Sequence, residues 1–140
     1  MTTFVLFGGT GDLAKRKIIP ALYSAFVNGR LDPEFSFIGA AREALNDDDF
    51  RTRVAASIET YAAKANGTPE QLAAFLALTG YSKIDAKVPG DFDALKARVN
   101  ADTTKAKLFY LAIGPDIFIP VVEQLSKHGL VEGNARVVVE

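Results

Sequence analysis

The sequence has no cysteine and no tryptophan, and only one histidine and one methionine. Without cysteine there is no disulfide framework, no thiol nucleophile and no thiolate metal site. A single histidine excludes a histidine-cluster metal centre, so no metal is expected. Charge of one sign is also missing. Sixteen Lys and Arg face seventeen Asp and Glu, a net charge of -1, which supplies no basic field for a nucleic-acid backbone. No apolar run approaches the 18 residues of a membrane span, and the N-terminus has neither a basic region nor a long apolar region of a secretory signal. A cytoplasmic location is therefore the expectation. What is present, 49% apolar and 24% charged residues in 140, fits one ordinary globular domain and leaves no room for a second.

Short apolar runs alternate with helical periodicity. Phe4–Phe7 reads as a strand covered on both faces and ends at Gly8-Gly9. Residues 12–28 carry helical spacing at Ile18, Leu22, Ala25 and Phe26, with Asn28-Gly29 as the stop. Pro20 inside this helix predicts a kink or loosening near Arg16. A second strand is predicted over Glu34–Ala41, then a helix from an Asn46 cap to about Lys64. Thr68-Pro69-Glu70-Gln71 is a capping-box start for a helix over Glu70–Leu78. Tyr81–Ile84 reads as a strand, Phe92–Val99 as a helix, Lys107–Ile113 as a buried strand, Ile117–His128 as a helix, and Ala135–Val139 as a last strand. This rhythm implies βαβ units in an α/β fold, doubly wound, with helices on both faces of a mostly parallel sheet.

In such a sheet the ligand sits beyond the carboxyl ends of the strands, where strand order reverses. That directs attention to Gly8-Gly9-Thr10-Gly11-Asp12-Leu13-Ala14, which leaves a strand and opens a helix. Gly8 permits the sharp strand exit, Gly11 lets a pyrophosphate approach the backbone, and Ala14 lets the helix pack closely. The helix mouth presents free amides and a partial positive charge to that anion. The triphosphate-binding P-loop is excluded, since Ala14-Lys15-Arg16 replaces its Gly-Lys-Ser/Thr. At the end of the second strand stands Arg42-Glu43. Arg42 favours a 2′-phosphate, whereas Glu43 repels one and accepts from a free hydroxyl, so the pair leaves NADP and NAD both open.

The run Phe7–Tyr23, with Gly39-Ala40-Ala41-Arg42, Phe109–Pro115 and Val137-Val138-Val139-Glu140, resembles the coenzyme-binding domain of the glucose-6-phosphate dehydrogenases, in order and over the whole chain. The resemblance implies a Rossmann-like domain over residues 1–140 and oxidation of glucose 6-phosphate to a phosphogluconolactone. Hydride would pass to NADP or NAD, in the first step of the pentose phosphate pathway. It implies cofactor contacts from Gly8, Gly9, Thr10, Gly11, Asp12, Leu13, Ala14 and Lys15. Thr10 and Arg42 would approach the 2′-phosphate, Tyr110 would lie near the nucleotide, and Lys17 would touch substrate.

The family's general base is a histidine of a second, α+β domain, which this chain is expected to lack, ending inside the Glu-Lys-Pro-Phe-Gly motif. No catalytic residue is therefore expected within these residues, and the chain alone is expected to be inactive. Most of its glucose 6-phosphate contacts and the oligomer interface of the parent enzyme would belong to the missing part. His128, in a last helical turn before Gly129, suits the helix dipole and not catalysis. Val137–Val139 is expected to leave an exposed apolar strip.

Competing readings are a non-catalytic NAD(P) sensor, an atypical short-chain reductase and a ligand-free scaffold. A reductase needs Tyr and Lys at i and i+4. Tyr61 and Lys64 are i and i+3, and Tyr23, Tyr81 and Tyr110 have no lysine at that offset.

Overall fold

The computed structural model describes residues 2–32, 34–99 and 106–139. Five parallel strands form one sheet: β1 (Thr2–Phe7), β2 (Ser36–Ala41), β3 (Thr79–Lys83), β4 (Ala106–Leu111) and β5 (Ala135–Val139), in the order β3-β2-β1-β4-β5. Five helices accompany them: α1 (Ile19–Val27), α2 (Asp47–Tyr61), α3 (Pro69–Ala77), α4 (Pro89–Val99) and α5 (Pro115–Lys127). The order reverses at β1, which pairs with β2 on one side and β4 on the other.

Strand alternation distributes the core between two layers. Phe4 and Leu6 point to the layer of α1, α2 and α3, where Tyr23, Phe37, Phe50 and Phe75 are buried. Val5 and Phe7 point to the layer of α4 and α5, where Phe92, Leu95, Phe109, Leu111, Val121 and Leu125 are buried. Both faces of β1 are therefore covered, as its continuous apolar run predicts. Gly39 lets the Phe50 ring lie against β2, because a Cβ at Gly39 would overlap that ring.

The capping signals read from sequence are realised. The Asn46 side chain accepts from the Asp49 amide at 2.7 Å while Asp49 accepts from the Asn46 amide at 3.2 Å. Thr68 and Gln71 do the same for α3. Helix α2 stops at Tyr61, short of the predicted Lys64, and a 3-10 turn, Ala63–Ala65, leads to Asn66 at φ 55°. The second strand begins at Ser36, not Glu34, and α4 begins at Pro89, before Phe92. Glu140 lies outside the described residues.

Pro20 has a larger consequence than the loosening expected near Arg16. The helix begins at Asp12 but is π-helical over Ala14–Ile18, with the Ile19 amide donating to the Ala14 carbonyl. The Lys15 carbonyl then looks toward Pro20, which has no N–H to give. The Ser57 hydroxyl of α2 donates to that carbonyl at 2.5 Å instead. Replacing Ser57 by alanine is expected to lower unfolding stability by about 1 kcal/mol, since a part-buried acceptor loses its donor. Urea denaturation checks this.

At the outer edge of β3, side chains of α2 take the place of a missing strand. Arg51 donates to the Thr79 carbonyl and Asp47 accepts from the Tyr81 amide, each at 2.8 Å. Arg98 of α4 pairs with the same carboxylate at 3.0 Å. This blunts the edge against strand addition. Burial pushes the Asp47 carboxyl up, yet Arg98 and the Tyr81 amide together bring it below its ordinary 3.8. A carboxyl depressed on folding contributes stability above its unfolded pKa and loses it as pH falls through the folded value. The urea midpoint is therefore expected to drop as pH falls below about 4, less steeply in Asp47→Asn, whose midpoint at neutral pH is already lower.

Among the described residues, no strand pairs with the outer edge of β5. Val137, Val138 and Val139 are 38%, 37% and 54% exposed, the apolar strip the sequence predicts.

Candidate functional site

Strand β1 delivers the chain to Gly8 at φ +82°, where a Cβ would overlap the Ala112 carbonyl of the segment leaving β4. The amides of Gly8 and Gly9 both donate to Ala40 at the end of β2, at 2.8 and 3.2 Å. The turn is thus bonded to the end of β2 and packed against the segment leaving β4. Gly11 donates to Gly8, and the Lys15 amide returns to the Gly11 carbonyl as the first helical bond. The amides of Asp12, Leu13 and Ala14 precede that bond and have no intrahelical acceptor. Outside Gly11 the space is open: a Cβ there would meet only the Gly8 carbonyl, at 3.2 Å. Ala14 is fully buried, consistent with close helix packing.

Beside this turn lies a cleft of about 370 Å³, lined by Gly8 and Thr10, by Ala41, Arg42 and Glu43 after β2, by Ile84–Lys87 after β3, and by Ile113, Gly114 and Ile117 after β4. It opens at the carboxyl ends of the strands, where the order reverses. Arg42 is exposed and makes no ion pair among the described residues. Glu43 is engaged: both its oxygens meet the Arg53 guanidinium of α2, at 3.2 and 2.8 Å. Arg53, then the Thr10 hydroxyl, pull the Glu43 carboxyl below its ordinary range. The Tyr81 hydroxyl reaches the carbonyls of Ala41 (3.0 Å) and Glu43 (2.7 Å), bracing the loop that presents Arg42. Burial, reinforced by Glu43, pushes this phenol up to about 12, so it remains a donor.

Other predicted residues fall elsewhere on the helix or sheet. Asp12 is exposed and pairs with Arg16 at 2.7 Å, and Arg16 also lies over the Tyr61 ring. Leu13, Lys15 and Lys17 are exposed. The α-helical spacing used to face Lys17 toward the ligand end does not carry across a π-helical turn, which advances the chain by more residues per turn. Tyr110 is half-buried, stacked with Phe4 in the layer of α1 and α2, and is not part of the cleft lining. His128 lies at the end of α5, with Nδ1 against the Gln124 carbonyl and Nε2 against Asp93. Tyr61 and Lys64 line a separate cavity with Pro20 and Ala21. Sequence reasoning missed Tyr81, Arg53 and the Ile84–Lys87 wall. Arg53 could have been suspected as a cation following Glu43, but only the fold brings the two together.

A family model described as the NAD-binding domain of glucose-6-phosphate dehydrogenase matches residues 5–140. The chain belongs to the glucose-6-phosphate dehydrogenase family. It is 34% identical to the glucose-6-phosphate 1-dehydrogenase of Rhizobium meliloti, over 98% of this chain and 28% of that protein. With the Schizosaccharomyces pombe enzyme it shares 35% over 97% of this chain and 28% of the relative. The crystal structure of the Mycobacterium avium enzyme superposes with a TM-score of 0.87 at 28% identity, over 99% of this chain and 29% of that one. A glucose-6-phosphate dehydrogenase in complex with its substrate glucose 6-phosphate superposes with a TM-score of 0.82 at 30% identity, again over 29% of its length. The chain thus spans little more than a quarter of these glucose-6-phosphate dehydrogenases, the part that is their NAD-binding domain, and a nicotinamide cofactor follows from it. Nothing in the geometry or the relatives favours the sensor or reductase readings. Among the described residues, no helix is long and apolar enough to cross a membrane.

Proposed function

We propose that this chain is the NADP-holding part of an enzyme that oxidises glucose 6-phosphate at C1 to a phosphogluconolactone. The observation that carries the cofactor choice is the asymmetry of the strand-end pair: Arg42 is free at the cleft while Glu43 is neutralised by Arg53. A guanidinium without a partner suits a 2′-phosphate, and a paired carboxylate repels it less. The turn residues fit the cofactor, because the space a Cβ would fill at Gly11 is open to an approaching diphosphate. The amides of Asp12, Leu13 and Ala14 and the helix end would hold that diphosphate, with Lys15 adding charge. When bound, the nicotinamide supplies the hydride acceptor.

In this reading Thr10 works with Arg42 at the ribose end. Lys17, exposed on the helix that the turn opens, is the candidate for a substrate contact through the family resemblance and not through helical spacing. Tyr110 would act near the nucleotide by supporting the sheet beneath it through Phe4. Removal of the C1 hydroxyl proton needs a base, and His128 stands at the far end of α5 from the Gly114 side of the cleft. Apart from Lys17, the parent enzyme's glucose 6-phosphate contacts and any homo-oligomer interface are assigned to residues beyond this domain, and its compartment to the cytoplasm.

Calorimetric titration tests the reading. Arg42→Ala is expected to weaken NADP binding about 10–50-fold and NAD binding by less than about threefold. Equal losses for both cofactors would contradict it. Mixed with NADP and glucose 6-phosphate, the 140-residue chain is expected to show no sustained rise in reduced cofactor.

A further inference from the structure

We infer that Arg53, on helix α2, is a specificity-determining residue: by forking onto Glu43 it removes a carboxylate that would otherwise occupy Arg42 and repel a phosphorylated cofactor. The inference rests on the NADP reading above and extends it to a residue outside the strand-end pair.

Glu43 lines the cleft beside the glycine turn with Arg42 and Thr10. Arg53 lines a neighbouring cavity of about 340 Å³ with Gly9, Thr10, Lys15 and Ser57. The two cavities share Thr10, so the Glu43–Arg53 pair stands at their common wall. Both carboxylate oxygens are engaged by the guanidinium, and the side chains remain 48% and 47% exposed, close enough to solvent for a ligand to sense their charge. The Thr10 hydroxyl, after Arg53, also favours the charged form of this carboxylate. Without Arg53, Glu43 would be a bare negative charge adjacent in sequence to the one free guanidinium found in the cleft lining. It would pair with Arg42 or face the incoming phosphate, and either outcome penalises the phosphorylated cofactor. A cofactor with a free 2′-hydroxyl suffers no such penalty, because a carboxylate can accept from it.

The test is a set of calorimetric titrations of the 140-residue chain with NADP and NAD. Arg53→Met keeps the stem and removes the charge. It is expected to raise the NADP dissociation constant about five- to tenfold while leaving that of NAD unchanged or lower. Adding Glu43→Gln to Arg53→Met is expected to return the NADP-to-NAD ratio to within about twofold of wild type, because the pair again carries no net charge. Arg53→Lys retains the charge and is expected to hold the ratio, which keeps the test available should the methionine variant not fold. Failure of Glu43→Gln to restore the ratio would mean that Arg53 itself grips the phosphate, and would overturn the inference. An equal loss for both cofactors would reduce Arg53 to a structural residue and overturn it too. Absence of binding of either cofactor to the wild-type chain would overturn the NADP reading along with it, whereas binding with an unchanged ratio in Arg53→Met overturns this inference alone.

Discussion

Replacing Gly8 by alanine is expected to destabilise the chain by about 3 kcal/mol and to lower its melting temperature by about 10 °C. Two costs combine. The backbone at φ +82° is one that an L side chain adopts only at a cost of about 1–2 kcal/mol. The new Cβ would also overlap the Ala112 carbonyl, a backbone atom that can move only by parting β1 from the end of β4. Because the Gly8 amide also donates to Ala40, the strain is felt on both sides of β1. A domain of this size has a total stability of roughly 5–15 kcal/mol, so such a loss leaves it marginal. Thermal unfolding of Gly8→Ala followed by circular dichroism measures it, and a melting temperature unchanged from wild type would show that the turn is not held as described.

The second large effect separates binding from folding. Gly11→Glu is expected to weaken NADP binding about 100-fold while changing stability by less than about 1 kcal/mol. Unlike Gly8, Gly11 does not have positive φ, and its missing Cβ faces open space apart from the Gly8 carbonyl at 3.2 Å. A side chain there can therefore be accommodated by the fold. What it cannot accommodate is a diphosphate in the same space, and a carboxylate adds like-charge repulsion beside the unpaired amides of Asp12 and Leu13. Paired calorimetric and urea-denaturation measurements on this variant distinguish a blocked site from an unfolded protein.

The contrast between these two glycines shows what the sequence makes legible. The strand–turn–helix order, with the sharp exit at Gly8 and a small residue at Ala14, is legible because it is a local pattern within a few residues. The same holds for the caps at Asn46 and Thr68, whose partners lie three residues away. Features that depend on distant residues were not readable. The π-helical segment is compatible with Pro20 because Ser57, forty-two residues from Lys15, supplies the missing donor. Glu43 was weighed as an opponent of Arg42, yet its charge is settled by Arg53 across a strand-to-helix loop. The Ile84–Lys87 wall enters the cleft only because β3 is placed outside β2 in the sheet order. Tyr110 shows the reverse limit. The alternation of β4 puts its ring against Phe4, and a run of apolar residues does not reveal which face each will take.

In the proposed function, amides at the mouth of the helix opened by Asp12 hold the diphosphate of a nicotinamide cofactor. Its most direct test is an NADP titration of the isotopically labelled chain followed by amide chemical shifts. Saturable binding is expected, with the largest changes at Thr10, Gly11, Asp12 and Leu13 and a further set at Arg42 and Glu43. Saturable binding whose shifts instead cluster around the cavity between Tyr23 and Leu72, leaving the glycine turn unmoved, would contradict it.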